Sequence, residues 1–298
     1  MKKLFLFAVA LFIGLQAAAA QDQDAVNRQI FDRVYAAVKD KAGLPTGTLA
    51  LEIAKQFIGT KYAYYTLEQE PEQLRVYLDK TDCILFVELC SSFALTVKGR
   101  RIVQAGDGVH YAVRETPSVE KAEPSYELLC HNIQNMRYRL GVVDGYGSRL
   151  HYTSEWLLQN QTNGILYEMS KTLGEPCNQS FFYMTTHKNV YKQLRNDEVQ
   201  SAVVKAAEDR LNLQAPYYFI SQKDLNKEEV ISQIKDGDIV TFMDSHPGLD
   251  LSHVAMACTG EDGKMHFIHA GIGFMEVAID PKTLAEYAVR GVRVSRLR

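Results

Sequence analysis

Apolar residues recur at helical spacing along the first third of the chain, between short polar breaks. This spacing predicts three helices, at residues 23–41, 46–59 and 83–97. The first is amphipathic, with one apolar stripe formed by Val26, Ile30, Val34 and Val38. Glycine follows the third helix at Gly99, as is common at helix ends. An aromatic loop, "TKYAYYTLEQEPEQL", separates the second and third helices.

The last third of the chain changes to short β-rich runs separated by Gly, Asp and Pro turns. Five strands are predicted, within 236–243, 251–258, 264–271, 274–279 and 291–297, with a short helix at 281–289. Residues of about 100–215 are mixed, with further helices at 125–141 and 196–212 and, within 145–160, a loop leading into a short helix. Helices followed by an antiparallel sheet predict an α+β fold. We expect a single domain over 21–298 with the 100–215 segment as an insertion.

The first twenty residues have the pattern of a secretory signal peptide. Lys2 and Lys3 precede the apolar run "LFLFAVALFIGL", and the small-residue stretch "QAAAA" predicts cleavage after Ala20. No later stretch is long and apolar enough for a membrane anchor. We therefore expect a soluble, exported protein that is periplasmic or secreted.

Charge and cysteine usage narrow the function classes. Removing the two signal lysines leaves 31 Lys+Arg against 36 Asp+Glu, a net charge of −5, without the clustered basic face that nucleic-acid binding needs. The five cysteines are an odd number, so at least one thiol has no intramolecular partner. Cys83 and Cys90 cannot pair if they share a helix, because seven residues rise about 10.5 Å. No CxxC occurs.

The Asp-Cys pair in "TDCILFVELC" marks a candidate nucleophile. Asp82 is a good N-cap, so Cys83 falls at the first helical position, where free backbone N–H groups and the helix dipole favour an anion. Such a position lowers a thiol pKa from about 8.5 and favours the reactive thiolate. Cys90, two turns further, fits a small core residue.

A thiolate nucleophile needs a base, and His253 in "LSHVAMA" is the candidate. A third group should come from the neighbouring predicted strand, "KMHFIHAG", where His266 and His269 have opposite parity. A tight turn centred on Glu261-Asp262 would put His266 on the face of His253, about 13 Å along the strand. His269 is closer but requires a bulge or a three-residue turn, which Gly263 permits. We select His269.

A shared metal site is the competing use of these residues. His253 and Cys258 are five apart on one predicted strand and therefore face opposite ways, as do His266 and His269. We expect no metal and no cofactor.

Five short segments occur in the order "IGTKY", "DCILFVE", "DGDIVTF", "SHVAM" and "FIHAG". In this order they resemble the NlpC-type cell-wall hydrolases, bacterial cysteine enzymes with a papain-like fold. The stretches "YYTLE" and "RLHYTSEWLLQN" are similar to the N-acetylmuramoyl-L-alanine-amidase-like branch. The resemblance covers residues 48–298. It implies a nucleophile helix packed on an antiparallel sheet.

By position, the resemblance implies Cys83 as nucleophile, His253 as base and His269 as the polar third residue. Tyr62 matches a tyrosine that lines the site and could support the oxyanion with the Cys83 backbone N–H. Asp82 and Ser252 match positions that, in related endopeptidases, bind the free amine of L-Ala.

Other positions concern the substrate pocket. Tyr64 and Tyr65 replace small residues of the family, so the pocket near the nucleophile is expected to be narrowed. Arg149 and the only tryptophan, Trp156, are candidates for binding a carboxylate or stacking on a sugar, with a core position as the alternative for Trp156. Glu68 is either a pocket wall residue or a turn-capping residue.

The activity that the resemblance implies is hydrolysis, through a thioester, of the amide between the lactyl group of N-acetylmuramic acid and L-Ala in peptidoglycan fragments. Peptidoglycan or a muropeptide is the expected partner, and neither nucleic acid nor a protein partner is indicated. A D,L-endopeptidase cutting after γ-D-Glu is the first alternative, which Asp82 and Ser252 would favour. A lipid thioester acyltransferase is disfavoured because its His precedes its Cys in the chain. An inactive binding module is the remaining class.

Overall fold

A computed structural model describes residues 22–298, so the expected signal peptide lies outside the described residues. The chain begins with α1 at 22–38 and a 3₁₀ turn at Lys39–Lys41. The longer helices that follow are α2 (Thr46–Lys55), α3 (Cys83–Val97), α4 (Tyr126–Arg137), α5 (Thr153–Thr162) and α8 (Glu198–Asn212). One-turn helices are α6 (Ser170–Leu173), α7 (Tyr183–Thr186), α9 (Gln222–Leu225), α10 (Glu228–Ile231) and α11 (Leu284–Tyr287).

Eight strands form one sheet with the order β2-β1-β11-β10-β9-β8-β12-β5. All pairs are antiparallel except β1 with β2. The strands are β1 (Lys61–Tyr62), β2 (Lys80–Thr81), β5 (Leu166–Glu168), β8 (Ile239–Met243), β9 (Leu251–Thr259), β10 (Met265–Gly271), β11 (Glu276–Ile279) and β12 (Val292–Leu297). Two smaller sheets pair β3 (Arg100–Ile102) with β4 (Val119–Lys121) and β6 (Glu175–Cys177) with β7 (Tyr217–Phe219).

The sheet carries a separate apolar core on each face. On one face, Met256, Cys258 and Ile268 pack in the same cluster as Phe86 and other residues of α3. On the other, the cluster consists of residues of alternate parity, Ala255, Ala257 and Phe267, with Leu225, Val230 and Leu284 of the one-turn helices. Other elements surround α3 on almost every side, so all residues from Leu85 to Val97 are buried.

The α+β class is confirmed. Strands β8 to β12 follow the longer helices, as predicted, but β1, β2 and β5 of the same sheet come earlier in the chain. The second helix ends at Lys55, and residues 56–59 form a turn rather than the predicted last helical turn. The 100–215 segment contributes β5 to the main sheet, where it pairs with β12 at one edge. Within residues 22–298, no helix has both the length and the apolar character needed to cross a bilayer.

Candidate active site

Cys83 is the first residue of α3, as predicted. Asp82 is the N-cap, and its Oδ1 accepts a hydrogen bond from the Leu85 N–H at 3.0 Å. This bond fixes the turn that precedes the thiol. Cys90 is fully buried in the core, also as predicted. None of the five cysteines forms a disulfide.

The surroundings of Cys83 in the free site oppose the predicted thiolate. Burial and the Asp82 carboxylate raise the pKa of the Cys83 thiol to about 12. The backbone N–H groups of Val254, Ile84 and Cys83 itself act in the opposite direction and lower it. Desolvation therefore outweighs the helix N-terminus, and the resting group is a thiol.

The hairpin of β9 and β10 brings His253 to His269. Ala257 lies opposite Phe267 and Met256 opposite Ile268, and this register places both histidines on the same face of the sheet. His253 Nε2 lies 2.6 Å from His269 Nδ1. The predicted proximity is confirmed.

A three-residue turn, rather than a bulge, produces this register. The Gly260 N–H donates to the Lys264 carbonyl at 2.8 Å, which leaves residues 261–263 as the turn, with Gly263 at φ +75°. His266 pairs with Cys258 and therefore faces away from His253, so the shared face considered for it is wrong. Its Nδ1 lies 3.0 Å from the Asp280 carbonyl and its Nε2 lies 3.1 Å from Asp262.

Both rings of the pair are neutral at rest. Burial, followed by the neighbouring His269, lowers the pKa of His253 to about 3. Burial also lowers the pKa of His269, and the Asp280 carboxylate partly opposes that shift. Among the described hydrogen bonds, none joins the Cys83 thiol to the His253 ring. The backbone N–H of Val254, the next residue along β9, is among the groups that lower the pKa of the thiol.

Aromatic rings enclose the histidine pair. The ring of Phe242 stacks on His253 at 5.6 Å, and Phe267 packs edge-on against His269 at 5.0 Å. Tyr287 of α11 lies 6.2 Å from both imidazoles, measured between ring centroids. No sequence pattern pointed to Tyr287 as a residue of the site.

A cavity of about 340 Å³ opens beside Cys83. Its wall includes every pocket residue that the resemblance implied except Ser252: Tyr62, Tyr64, Tyr65, Glu68, Asp82, Arg149 and Trp156. Ser252 is exposed, with its Oγ 3.4 Å from the Phe242 carbonyl. The structure therefore does not bring Ser252 to the wall that Asp82 lines.

Tyr62 contacts the cavity from strand β1. Its ring packs edge-on against Tyr64 at 4.8 Å, and burial raises its pKa well above the usual range. The hydroxyl therefore stays protonated and can donate a hydrogen bond. Tyr64 and Tyr65 are exposed at the mouth, and Tyr65 has a φ of +57°, a conformation that is costly for a bulky residue.

Arg149 forms the charged part of the wall. It is buried, its Nη2 donates to Glu68 Oε1 at 2.8 Å, and its Nη1 donates to the Leu67 carbonyl at 3.2 Å. Glu68 is thus an ion-pair partner in the pocket wall, the first of its two predicted roles. The Trp156 side chain is 1 % exposed and belongs to the main core, which agrees with the core position considered as the alternative for it. It also lines part of the cavity wall.

Three further polar residues of the site were missed. Glu88 and Arg137 form a buried ion pair at the cavity, with 2.6 Å between Oε1 and Nη2. A carboxylate in the otherwise apolar helix 83–97 needs a buried partner, and that signal could have led to Arg137. Asp280 lies 3.4 Å from His269 and directly follows β11. The sequence signal for it is an acidic residue immediately after a predicted strand. Within residues 22–298, no group of three His, Cys, Asp or Glu side chains is arranged to bind a metal ion.

A family profile described as "AmiA-like: N-acetylmuramoyl-L-alanine amidase-like" matches residues 52–291. The chain belongs to this family. The match spans both Cys83 and the histidine hairpin, so the amidase-like region contains all the residues assembled above. No curated protein matches the chain.

Several solved structures are similar to this chain. An N-acetylmuramoyl-L-alanine amidase from Bacteroides uniformis is 27% identical, with a TM-score of 0.72 over 85% of this chain and 99% of that one. A Bacteroides fragilis protein provisionally named a xylanase is 28% identical, with a TM-score of 0.68 over 82% and 99%. A Legionella pneumophila protein, LPG0564, is 17% identical and shares the fold, with a TM-score of 0.61 over 94% and 96%.

Proposed function

We propose that this protein is a cysteine amidase that hydrolyses the amide bond between the lactyl group of N-acetylmuramic acid and L-Ala in peptidoglycan fragments. The observation that carries the proposal is the 2.6 Å contact between His253 and His269 on the strands beside the Cys83 helix. Membership of the amidase-like family and the B. uniformis amidase structure support a peptidoglycan amide as the substrate. The five ordered motifs support an NlpC-type, papain-like arrangement.

The reaction begins with proton transfer because both partners are neutral at rest. His253 takes the Cys83 proton as the sulfur attacks the lactyl carbonyl carbon, so His253 acts as a general base rather than as half of a preformed ion pair. The Cys83 N–H and the protonated Tyr62 hydroxyl are the proposed donors to the oxyanion. His253 then protonates the leaving L-Ala amine as the carbon–nitrogen bond breaks.

Water completes the cycle. It attacks the thioester with His253 again as base, releases the muramic acid carboxylate and restores the thiol. His269 orients His253 and stabilises the transient imidazolium. The side chains of Asp82, Glu68 and Arg149 present charged and hydrogen-bonding atoms to the bound fragment, and Tyr64 and Tyr65 flank the mouth of the cavity.

Residues 1–20 support export of the protein to the compartment that contains this substrate, which lies outside the inner membrane. Purification of the secreted or periplasmic protein and sequencing of its first residues tests this part. A mature N-terminus at Gln21 is expected, and a retained Met1 would contradict it.

Substrate choice distinguishes the amidase from a D,L-endopeptidase. Purified protein is incubated with a muramyl tripeptide and, separately, with the free tripeptide, and the products are identified by mass spectrometry. Release of the free sugar from the first substrate, with the second left intact, is expected. Cleavage of the free tripeptide alone would overturn the proposal in favour of the endopeptidase.

A further inference from the structure

The histidine pair continues to a buried carboxylate. His269 Nε2 lies 3.4 Å from Asp280 Oδ2, and the two side chains are only 3% and 8% exposed. That ring nitrogen is buried and makes no hydrogen bond of good geometry to any described residue. Burying an imidazole nitrogen without a hydrogen-bond partner costs free energy. The Asp280 carboxylate lies beside this nitrogen and is the available partner.

Asp280 is fixed by its other polar groups. Its Oδ1 accepts the Lys282 N–H at 2.8 Å, and its own N–H donates to the Phe267 carbonyl at 3.0 Å. Its carbonyl oxygen lies 3.0 Å from His266 Nδ1. These contacts leave Oδ2 as the oxygen that is free to accept from His269.

The hydrogen bonds between the three side chains determine which nitrogen of each histidine carries the proton. His253 uses Nε2 in its contact with His269, so Nδ1 is the nitrogen that remains to take the thiol proton. A neutral His253 with a free Nδ1 carries its proton on Nε2 and donates it to His269 Nδ1. His269 must then carry its own proton on Nε2, which is directed at Asp280.

The surroundings strengthen this chain of bonds. The rings of Phe267, Phe274 and Tyr287 surround His269 at centroid distances of 5.0, 5.8 and 6.2 Å. A hydrogen bond in such apolar surroundings is electrostatically stronger than one in water.

We propose that Asp280 is a positioning residue that fixes the tautomers of His269 and, through it, of His253. The Asp280 carboxylate accepts a hydrogen bond from the His269 Nε2–H and leaves the lone pair of His253 Nδ1 available to the thiol. The effect on turnover rests on the proposed function, whereas the tautomers themselves do not.

This proposal and a simple packing role predict opposite orders of kcat for two substitutions at Asp280. In Asp280→Asn, the single amide oxygen accepts from the Lys282 N–H, so the NH₂ group faces His269 Nε2 and imposes the reverse tautomer. Asp280→Ala imposes neither tautomer. We expect kcat to fall about 100-fold in Asp280→Asn and about tenfold in Asp280→Ala, with KM changed less than about twofold in both variants.

The decisive readout is NMR of the full chain labelled with ¹⁵N-histidine, which distinguishes the protonated from the unprotonated ring nitrogen. Wild type should show His269 protonated on Nε2, and Asp280→Asn should show it protonated on Nδ1. Asp262→Asn is the matched control, because Asp262 faces His266 at 3.1 Å on the other side of the strand. It should leave His269 and kcat unchanged.

Two results would overturn the proposal. One is a wild-type His269 protonated on Nδ1, which requires no variant to fold. The other is a milder loss of kcat in Asp280→Asn than in Asp280→Ala, as a packing role predicts. A wild-type protein without amidase turnover but with the expected tautomers would contradict the proposed function and support the role of Asp280.

Discussion

His253 and His269 contact each other through Nε2 of the first ring and Nδ1 of the second, 2.6 Å apart. Neither position depends on a flexible loop, because each residue belongs to a paired strand of the main sheet. The backbone register of one hairpin therefore fixes the relative position of the proposed base and its orienting group.

Replacing His269 should slow chemistry more than binding. We expect His269→Ala to lower kcat about 100-fold and to change KM less than about threefold, because the base loses its orientation and its imidazolium loses a partner. Steady-state kinetics on a muramyl tripeptide measures this. His246→Ala is the control, since His246 is an exposed histidine that contacts Asp244 rather than the cavity. A tenfold rise in KM with kcat unchanged would contradict the assigned role.

The alkylation rate of Cys83 should depend steeply on pH. Because the pKa of the thiol is raised to about 12, only its small thiolate fraction reacts near neutral pH. The rate of labelling by iodoacetamide should therefore rise about tenfold for each pH unit between about 7 and 10, without a plateau. Peptide mass spectrometry follows the label on Cys83. A rate that is flat between pH 7 and 9 would indicate a preformed thiolate–imidazolium pair.

Arg149 should act on substrate binding. Arg149→Lys keeps the charge but loses the planar group that binds Glu68 and the Leu67 carbonyl and stacks over the Tyr146 ring. We expect KM for the muramyl tripeptide to rise about tenfold, with kcat lowered less than about threefold. Lys188→Ala, which breaks only an exposed pair with Glu198, is the control. An unchanged KM in Arg149→Lys would remove Arg149 from the binding site.

Gly263 should contribute to stability through the turn of the histidine hairpin. Its φ is +75°, and a Cβ added there meets nothing within 4 Å, so backbone strain is the main cost of Gly263→Ala. That strain should lower the free energy of unfolding by about 1–2 kcal/mol, measured by urea denaturation. Gly43→Ala is the matched control, with equal space and without the left-handed φ. Equal effects of the two substitutions would contradict this explanation.

Local patterns predicted the parts of the site that local physics determines. The N-cap position of Asp82 fixed the start of α3, and alternation along the strands fixed which side chains share a face with His253. The choice of His269 over His266 depended on the turn, and the positive φ of Gly263 decides it.

Long-range burial could not be read from the same patterns. Capping and the helix dipole favour the Cys83 thiolate, but the desolvation that outweighs them comes from elements distant in the sequence. The ion pair of Arg149 with Glu68 joins residues 81 positions apart, and neither helical nor strand periodicity connects them. Asp280 reaches His269 only because β11 pairs with β10.

The most direct test of the account is the covalent step at Cys83. Wild type and Cys83→Ala are mixed with a muramyl tripeptide, quenched with acid within the first turnover and analysed by intact mass, and product release is then followed. Cys130→Ala, which removes a half-buried thiol elsewhere, is the control. We predict an adduct with the mass of the acylating sugar fragment on wild type and on the control, and neither adduct nor product with Cys83→Ala. Turnover by Cys83→Ala at the wild-type rate would contradict the central claim.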